Sequence, residues 1–244
     1  MKTVLATAAL ALAAGGALAE QHMQTVRMGT EGAYPPYNFI DANGEVAGYE
    51  RELGDMLCEM VEMQCEWVTN DWDSIIPNLT SGNYDTIMAG MSITPEREEV
   101  IAFTQNYIPP AESVYVGMSE DADLAGGVIA AQVNTIQSAY VAESGATLLE
   151  FATPDETVAA VRNGEADAVF ADGDFLRPIA DEDADLMMVG EPVQLGGGVG
   201  MGLRQSDTEL RDKFDAAIGE LKADGTLNEL IVKYFGEEAA TYEN

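Results

Sequence analysis

An α/β chain in two lobes is the fold class this sequence predicts, and three observations lead to it. Short β-rich runs alternate with amphipathic helical runs, the pattern of strands covered by helices. The 244 residues suffice for two cores of about 100–150 residues each. Gly196, Gly197 and Gly198 then interrupt the chain, a composition expected of a hinge or tight crossover rather than a helix.

Taken in order, Val26-Arg27-Met28 opens as a strand. Leu53, Leu57, Met60, Val61 and Gln64 follow helical spacing, the first four of them apolar. Ile75 to Ser81 reads as a helix capped by Asp71 or Asp73 and stopped at Gly82. Tyr84 to Met88 is the next strand, and Thr94-Pro95 starts a helix with a cap and a proline at its first position. A second block begins near Ser113, with strands over Ser113–Met118 and Val128–Gln132 and a helix over Thr135–Ser144. Thr153-Pro154-Asp155-Glu156 is a capping box whose helix ends at Gly164, and Ala166–Phe170 is the strand after it. Two more capping boxes are expected at Ser206-x-x-Glu209 and Thr226-x-x-Glu229. The helices they open carry apolar faces at Leu210, Phe214, Ala217, Ile218 and Leu221, and at Leu230, Ile231, Tyr234 and Phe235.

Eleven Lys and Arg against 43 Asp and Glu give a net charge of −32. That balance speaks against nucleic acid and against an anionic membrane surface, both of which need a basic face. The single histidine, His22, argues against a histidine base and against a metal site. Residues 1–19 read as an export signal: Lys2 supplies the positive start, Val4–Leu12 the apolar run, and Ala17-Leu18-Ala19 the cleavage site before Glu20. No cysteine follows that site, so a lipid anchor is not expected, and no later run approaches the length of a membrane helix. Cys58 and Cys65 enclose Glu59–Gln64. In an oxidising compartment they read as a local disulfide, with two free buried thiols as the alternative.

Four features break local rules. Arg97 sits in the first turn after Thr94, where the helix dipole disfavours a cation, and positions three and four away hold no acid. It is either a surface arginine with a distant partner or a guanidinium held for a carboxylate. Asn134-Thr135-Ile136-Gln137 lies between a strand and a helix, where free backbone N–H groups suit an anion. Asp172 emerges at the carboxyl end of a strand, where open α/β sheets bind ligands, although Gly173 after it also fits a turn. Trp72 is a large aromatic in the polar stretch Asn70-Asp71-Trp72-Asp73, a ligand platform or a core anchor.

Several stretches together carry a likeness: Gly29-Thr30-Glu31-Gly32-Ala33-Tyr34-Pro35-Pro36, Gly48-Tyr49-Glu50-Arg51-Glu52-Leu53 and Ser92-Ile93-Thr94-Pro95-Glu96-Arg97. Asp167, Val169 and Asp172, and Asp224-Gly225-Thr226 before Tyr234-Phe235-Gly236, extend it to most of the chain. In their order and spacing the sequence resembles periplasmic solute-binding proteins of polar amino-acid ABC transporters, especially the lysine/arginine/ornithine- and histidine-binding type. The resemblance implies a two-lobed periplasmic-binding-protein-like fold (type II), with two hinge strands and a ligand cleft between lobes. Lobe 1 is then residues 24–110 plus 199–244 and lobe 2 residues 111–198, with hinge segments near 109–112 and 191–198. It also implies the disulfide Cys58–Cys65.

By the same resemblance, Arg97 holds a ligand α-carboxylate with the backbone at Ser92 and the Thr135–Ile136 turn beside Gln137. Asp172, the Ser92 hydroxyl and a carbonyl near Gly90 take the α-ammonium, while Glu31 faces the ligand side chain, with Tyr34 and Trp72 stacking on it. Glu31 stands where relatives often have Asp, Ala89-Gly90 where some have two serines, and Arg51 where an aliphatic residue is usual. Glu31 favours a cationic ligand such as arginine, lysine, ornithine or histidine, with glutamine-type or opine ligands as alternatives. The implied partners are a small-molecule amino acid and an ABC transporter permease, for a monomer in a Gram-negative periplasm. The sequence shows no nucleophile–base motif, phosphate loop or metal cluster, so no cofactor and no catalytic residue are expected. The enzyme alternative is an exported arogenate or prephenate dehydratase on the same fold, with Glu31 or Asp172 as general acid. A sensor subunit presenting ligand to a receptor is a third reading.

Overall fold

Two strand-to-strand crossings organise the protein. The computed structural model describes residues 23–243; the expected leader at 1–19 and His22 lie outside the described residues. From the N-terminus the chain forms β1 (Thr25–Thr30), β2 (Ala33–Tyr34), β3 (Asn38–Ile40), β4 (Val46–Ala47), α1 (Tyr49–Met60) and β5 (Gln64–Thr69). A 3-10 turn at Trp72–Ser74 leads into α2 (Ile75–Thr80), followed by β6 (Thr86–Ile87), α3 (Pro95–Glu98) and β7 (Ala102–Ile108). The chain then leaves for a second sheet through β8 (Glu112–Gly117), β9 (Val128–Gln132), α4 (Ile136–Ser144), β10 (Thr147–Phe151), α5 (Pro154–Arg162), β11 (Ala168–Asp172), α6 (Gly173–Glu182) and β12 (Met187–Gln194). It returns with β13 (Val199–Leu203) and ends in α7 (Thr208–Ala223) and α8 (Thr226–Phe235).

The first sheet has the order β5-β1-β6-β13-β7 and the second β10-β9-β11-β8-β12. In each, parallel strands fed by helices meet antiparallel strands next to the crossings: β13 runs against β6 and β7, and β8 against β11 and β12. A small sheet, β2-β3-β4, projects from the first lobe. Both crossings are tight. At the return crossing, Gly198 has φ +87° and a Cβ there would lie 2.5 Å from the Ile108 carbonyl of the outgoing one. The two crossings therefore touch, and only a glycine lets them.

Local physics explains the elements. α1 buries Leu53 and Leu57 completely on one face, and its end is tied to β5 by the Cys58–Cys65 disulfide, with Cα atoms 6.0 Å apart. Helix α4 is capped by the Thr135 hydroxyl accepting from the Ser138 N–H, and α5 has the full Thr153/Glu156 capping box. The other two expected boxes do not form. α7 starts at Thr208, so Ser206 lies one residue too early and its hydroxyl donates to Asp207 instead (2.8 Å). α8 starts at Thr226 itself, after left-handed Gly225, and the Thr226 N–H donates to Asp224 (2.9 Å). Likewise neither Asp71 nor Asp73 caps α2, whose preceding residue is Ser74. The strand expected at Tyr84–Met88 pairs only over Thr86–Ile87. Tyr84 turns its hydroxyl to the Ile75 carbonyl, and Asp85 binds Arg27 and Arg204.

Among the described residues, no helix is long and apolar enough to cross a membrane.

Candidate functional site

The carboxyl ends of β1 and β11, the loop into α3 and the N-terminus of α4 converge on one cavity between the lobes. From the first lobe Glu31, Tyr34, Trp72, Ala89, Gly90, Ser92 and Arg97 line it; from the second, Thr135, Ile136, Gln137 and Asp172 do. All eleven residues singled out in the sequence thus face the same space.

Arg97 is placed by a short helix. α3 has four residues, so Arg97 occupies its last turn as well as its first, and the dipole objection loses its force. The Thr94 hydroxyl accepts from the Arg97 N–H at 3.2 Å and fixes the backbone. Its guanidinium donates from Nη1 to the Ser92 carbonyl (2.8 Å) and from Nη2 to the Asn134 carbonyl (3.3 Å), and lies 5.4 Å from the Trp72 ring centroid. None of the ion pairs among the described residues includes it. Burial lowers it to about 10 despite the field of Asp172. A desolvated cation with donors to spare and no carboxylate is an anion site. The first turn of α4 adds backbone N–H groups, while Thr135 spends its own hydroxyl on the Gln132 carbonyl (2.7 Å) and the Ser138 N–H.

Across the cavity stand two acids. Asp172 ends β11 and accepts from the Tyr34 hydroxyl (2.7 Å) and the Gln137 amide (2.8 Å). Burial pushes it up to about 6, against the pull of those two donors and Arg97. Glu31 follows β1 and accepts from the Gln132 amide at 2.6 Å. Burial raises it to about 7, and Asp71 and Glu50 add to that rise. Trp72 forms one wall with its indole N–H buried and unpartnered.

Reading residues singly missed Gln132, Pro154, Thr157, Phe170 and Ala171, which also line the cavity. Gln132 ends β9 at a carboxyl edge, as Asp172 ends β11, so the same rule would have found it. Pro154, Thr157, Phe170 and Ala171 gave no such signal, since they read as ordinary residues of a helix start and of the faces packed in the core.

The lobes are drawn together over this space. Glu31–Gln132, Tyr34–Asp172 and Arg97–Asn134 bond across it, Tyr37–Asp174 (2.9 Å) joins the lobes outside its lining, and the Tyr34 ring stacks on Phe175 at 4.7 Å.

Similarity to known proteins follows the same outline. A family profile for bacterial extracellular solute-binding proteins, family 3, matches residues 26–237. The L-arginine-binding protein of Pseudomonas aeruginosa is 33% identical over 231 residues, covering 86% of this chain and 87% of the relative. The lysine/arginine/ornithine-binding periplasmic protein of Escherichia coli is 31% identical over 230 residues, covering 87% and 88%. Among solved structures, a periplasmic His/Glu/Gln/Arg/opine family-binding protein from Silicibacter pomeroyi in complex with lysine superposes with a TM-score of 0.88. It is 71% identical, with 89% of this chain and 100% of that chain covered.

Proposed function

The chain belongs to the bacterial extracellular solute-binding proteins, family 3, and we propose that it binds a basic L-amino acid of the lysine, arginine, ornithine or histidine type in the periplasm and delivers it to an ABC transporter permease. One observation carries this reading. The cavity presents one unpaired cation, Arg97, and two carboxylates, Glu31 and Asp172. That set complements a molecule with one carboxylate and two cationic groups, which is an α-amino acid with a basic side chain. Arg97 and the α4 N-terminus take the α-carboxylate; Asp172, with Ser92 and the backbone near Gly90, takes the α-ammonium. Glu31 takes the side-chain cation, between Tyr34 and Trp72.

Residues 24–110 with 199–244 then move as one lobe and 111–198 as the other, about hinge segments near 109–112 and 191–198. The ligand favours closure because it touches both. Residues 1–19 are removed on export, and the mature chain works as a monomer. The named relatives are binding proteins, which supports binding over dehydratase chemistry.

A thermal-unfolding series with lysine, arginine, ornithine and glutamine tests the reading. A ligand at 100 times its Kd adds about 2.7 kcal/mol, or roughly 5–11 °C. Basic amino acids should give the largest shifts; no shift with any α-amino acid would contradict the reading.

A further inference from the structure

We propose that Glu50 is a positioning residue for ligand side-chain recognition: its carboxylate orients the Asn38 amide, and through it the backbone that carries Glu31. This rests on the role given above to Glu31. Glu50 lies in the first turn of α1 and is fully buried, yet no cation pairs with it among the described residues. Every polar group facing it is a donor. The Gly90 N–H reaches Oε1 at 2.7 Å, the Tyr107 hydroxyl bonds the same oxygen, and Asn38 Nδ2 reaches Oε2 at 2.7 Å.

That all-acceptor character propagates. An amide has one donating and one accepting end. With Nδ2 of Asn38 committed to Glu50, its Oδ1 must face the other way, and there it accepts from the Gly32 N–H at 2.7 Å. Gly32 has φ +74° and directly follows Glu31. The chain of polarity therefore runs from Glu50 through Asn38 to the peptide next to Glu31. Its other branch holds Gly90, in the cavity wall, with φ +62°. One buried carboxylate sets two separate walls of the cavity.

A glutamine at position 50 cannot do this. With its oxygen toward Gly90 and Tyr107, its NH2 meets the Asn38 NH2. Turning Asn38 over would aim a second NH2 at the Gly32 N–H, and turning the introduced amide itself would leave the Gly90 N–H unpaired. Moving the charge restores the pattern. In the double substitution Asn38→Asp with Glu50→Gln, the introduced amide donates to one oxygen of the introduced carboxylate while the other accepts from Gly32.

The experiment measures Kd for lysine and for glutamine by calorimetry on the mature protein, with melting temperatures alongside. Glu50→Gln should weaken lysine by about tenfold or more and narrow its preference over glutamine. The double variant should recover that preference. Tyr107→Phe, which removes a donor from Glu50 but leaves Asn38 oriented, should keep the lysine-to-glutamine ratio of the parent. A Glu50→Gln protein that melts lower but keeps both constants overturns the proposal. So does a folded double variant that lacks the preference, and this comparison stands even where Glu50→Gln alone fails to fold. A parent protein that binds no α-amino acid overturns the functional reading instead, and this inference with it.

Discussion

Arg97, Glu31 and Asp172 form the charge pattern of the cavity, and two of them should make binding depend on pH. Burial raises Glu31 to about 7 and Asp172 to about 6, above the values near 4 of an unfolded chain. Between those limits the folded, ligand-free protein holds more protons than the unfolded one. Their contribution to stability is therefore full below about pH 4 and is lost as pH rises through 6 and 7. A dicationic ligand reverses the preference by pairing with both carboxylates, so its binding expels protons. Lysine should accordingly bind more weakly at pH 5 than at pH 8. In Glu31→Gln the dependence should centre near the Asp172 value, with lysine weakened and glutamine little changed at pH 8. Calorimetry across that range checks both; a lysine Kd independent of pH would contradict the charge pattern. Arg97 was legible because it broke a rule of helix electrostatics, and its short helix explains the breach. The Glu31–Gln132 pair was not, since partners 101 positions apart leave no trace in local pattern.

Elements were legible where a side chain meets its own backbone nearby. The Thr153/Glu156 capping box is an interaction within one turn and formed as expected, whereas Thr135, expected as the first residue of its helix, caps it instead. Thr153→Ala should cost about 1 kcal/mol and lower the melting temperature by roughly 2–4 °C. Ligand affinity should stay near that of the parent, since Thr153 lies outside the cavity lining; an unchanged melting curve would deny the cap its role. The boxes at Ser206 and Thr226 failed for a reason no motif contains: the helices begin one residue away, where Asp207 and left-handed Gly225 set the entry. β5, β7, β12 and β13 were likewise unassigned in the sequence, because their partners come from far along the chain, while β10, α6 and the small β2-β3-β4 sheet were unassigned although their neighbours lie close by. The disulfide joins α1 to β5 across a loop short enough to contribute about 2.5 kcal/mol in the loop-entropy view.

At the scale of the whole molecule, the lobes also meet through contacts outside the cavity lining. Tyr37 lies outside the cavity lining, donates to Asp174 across the lobes at 2.9 Å and packs edge-on against Phe235 at 4.8 Å. Tyr37→Phe keeps the ring and removes the bond. It should weaken lysine and glutamine by the same factor, roughly five- to twentyfold, because it changes the closed population rather than any ligand contact. Calorimetry with both ligands reads this, and a loss confined to one of them would place Tyr37 in the site instead. The division into two lobes was visible as alternating strands and helices with a triple-glycine break. The closeness of the crossings at Gly198 and Ile108 was not, since it depends on two segments 90 positions apart meeting in space.

The most direct test of the account is isothermal titration of L-lysine into the mature protein and into Arg97→Ala. The account predicts saturable binding at one site in the parent. In Arg97→Ala affinity should fall by about 30-fold or more, the cost of stranding a buried carboxylate without its partner. Lysine bound equally well by both proteins would contradict it, because the ligand carboxylate would then lie somewhere other than against Arg97.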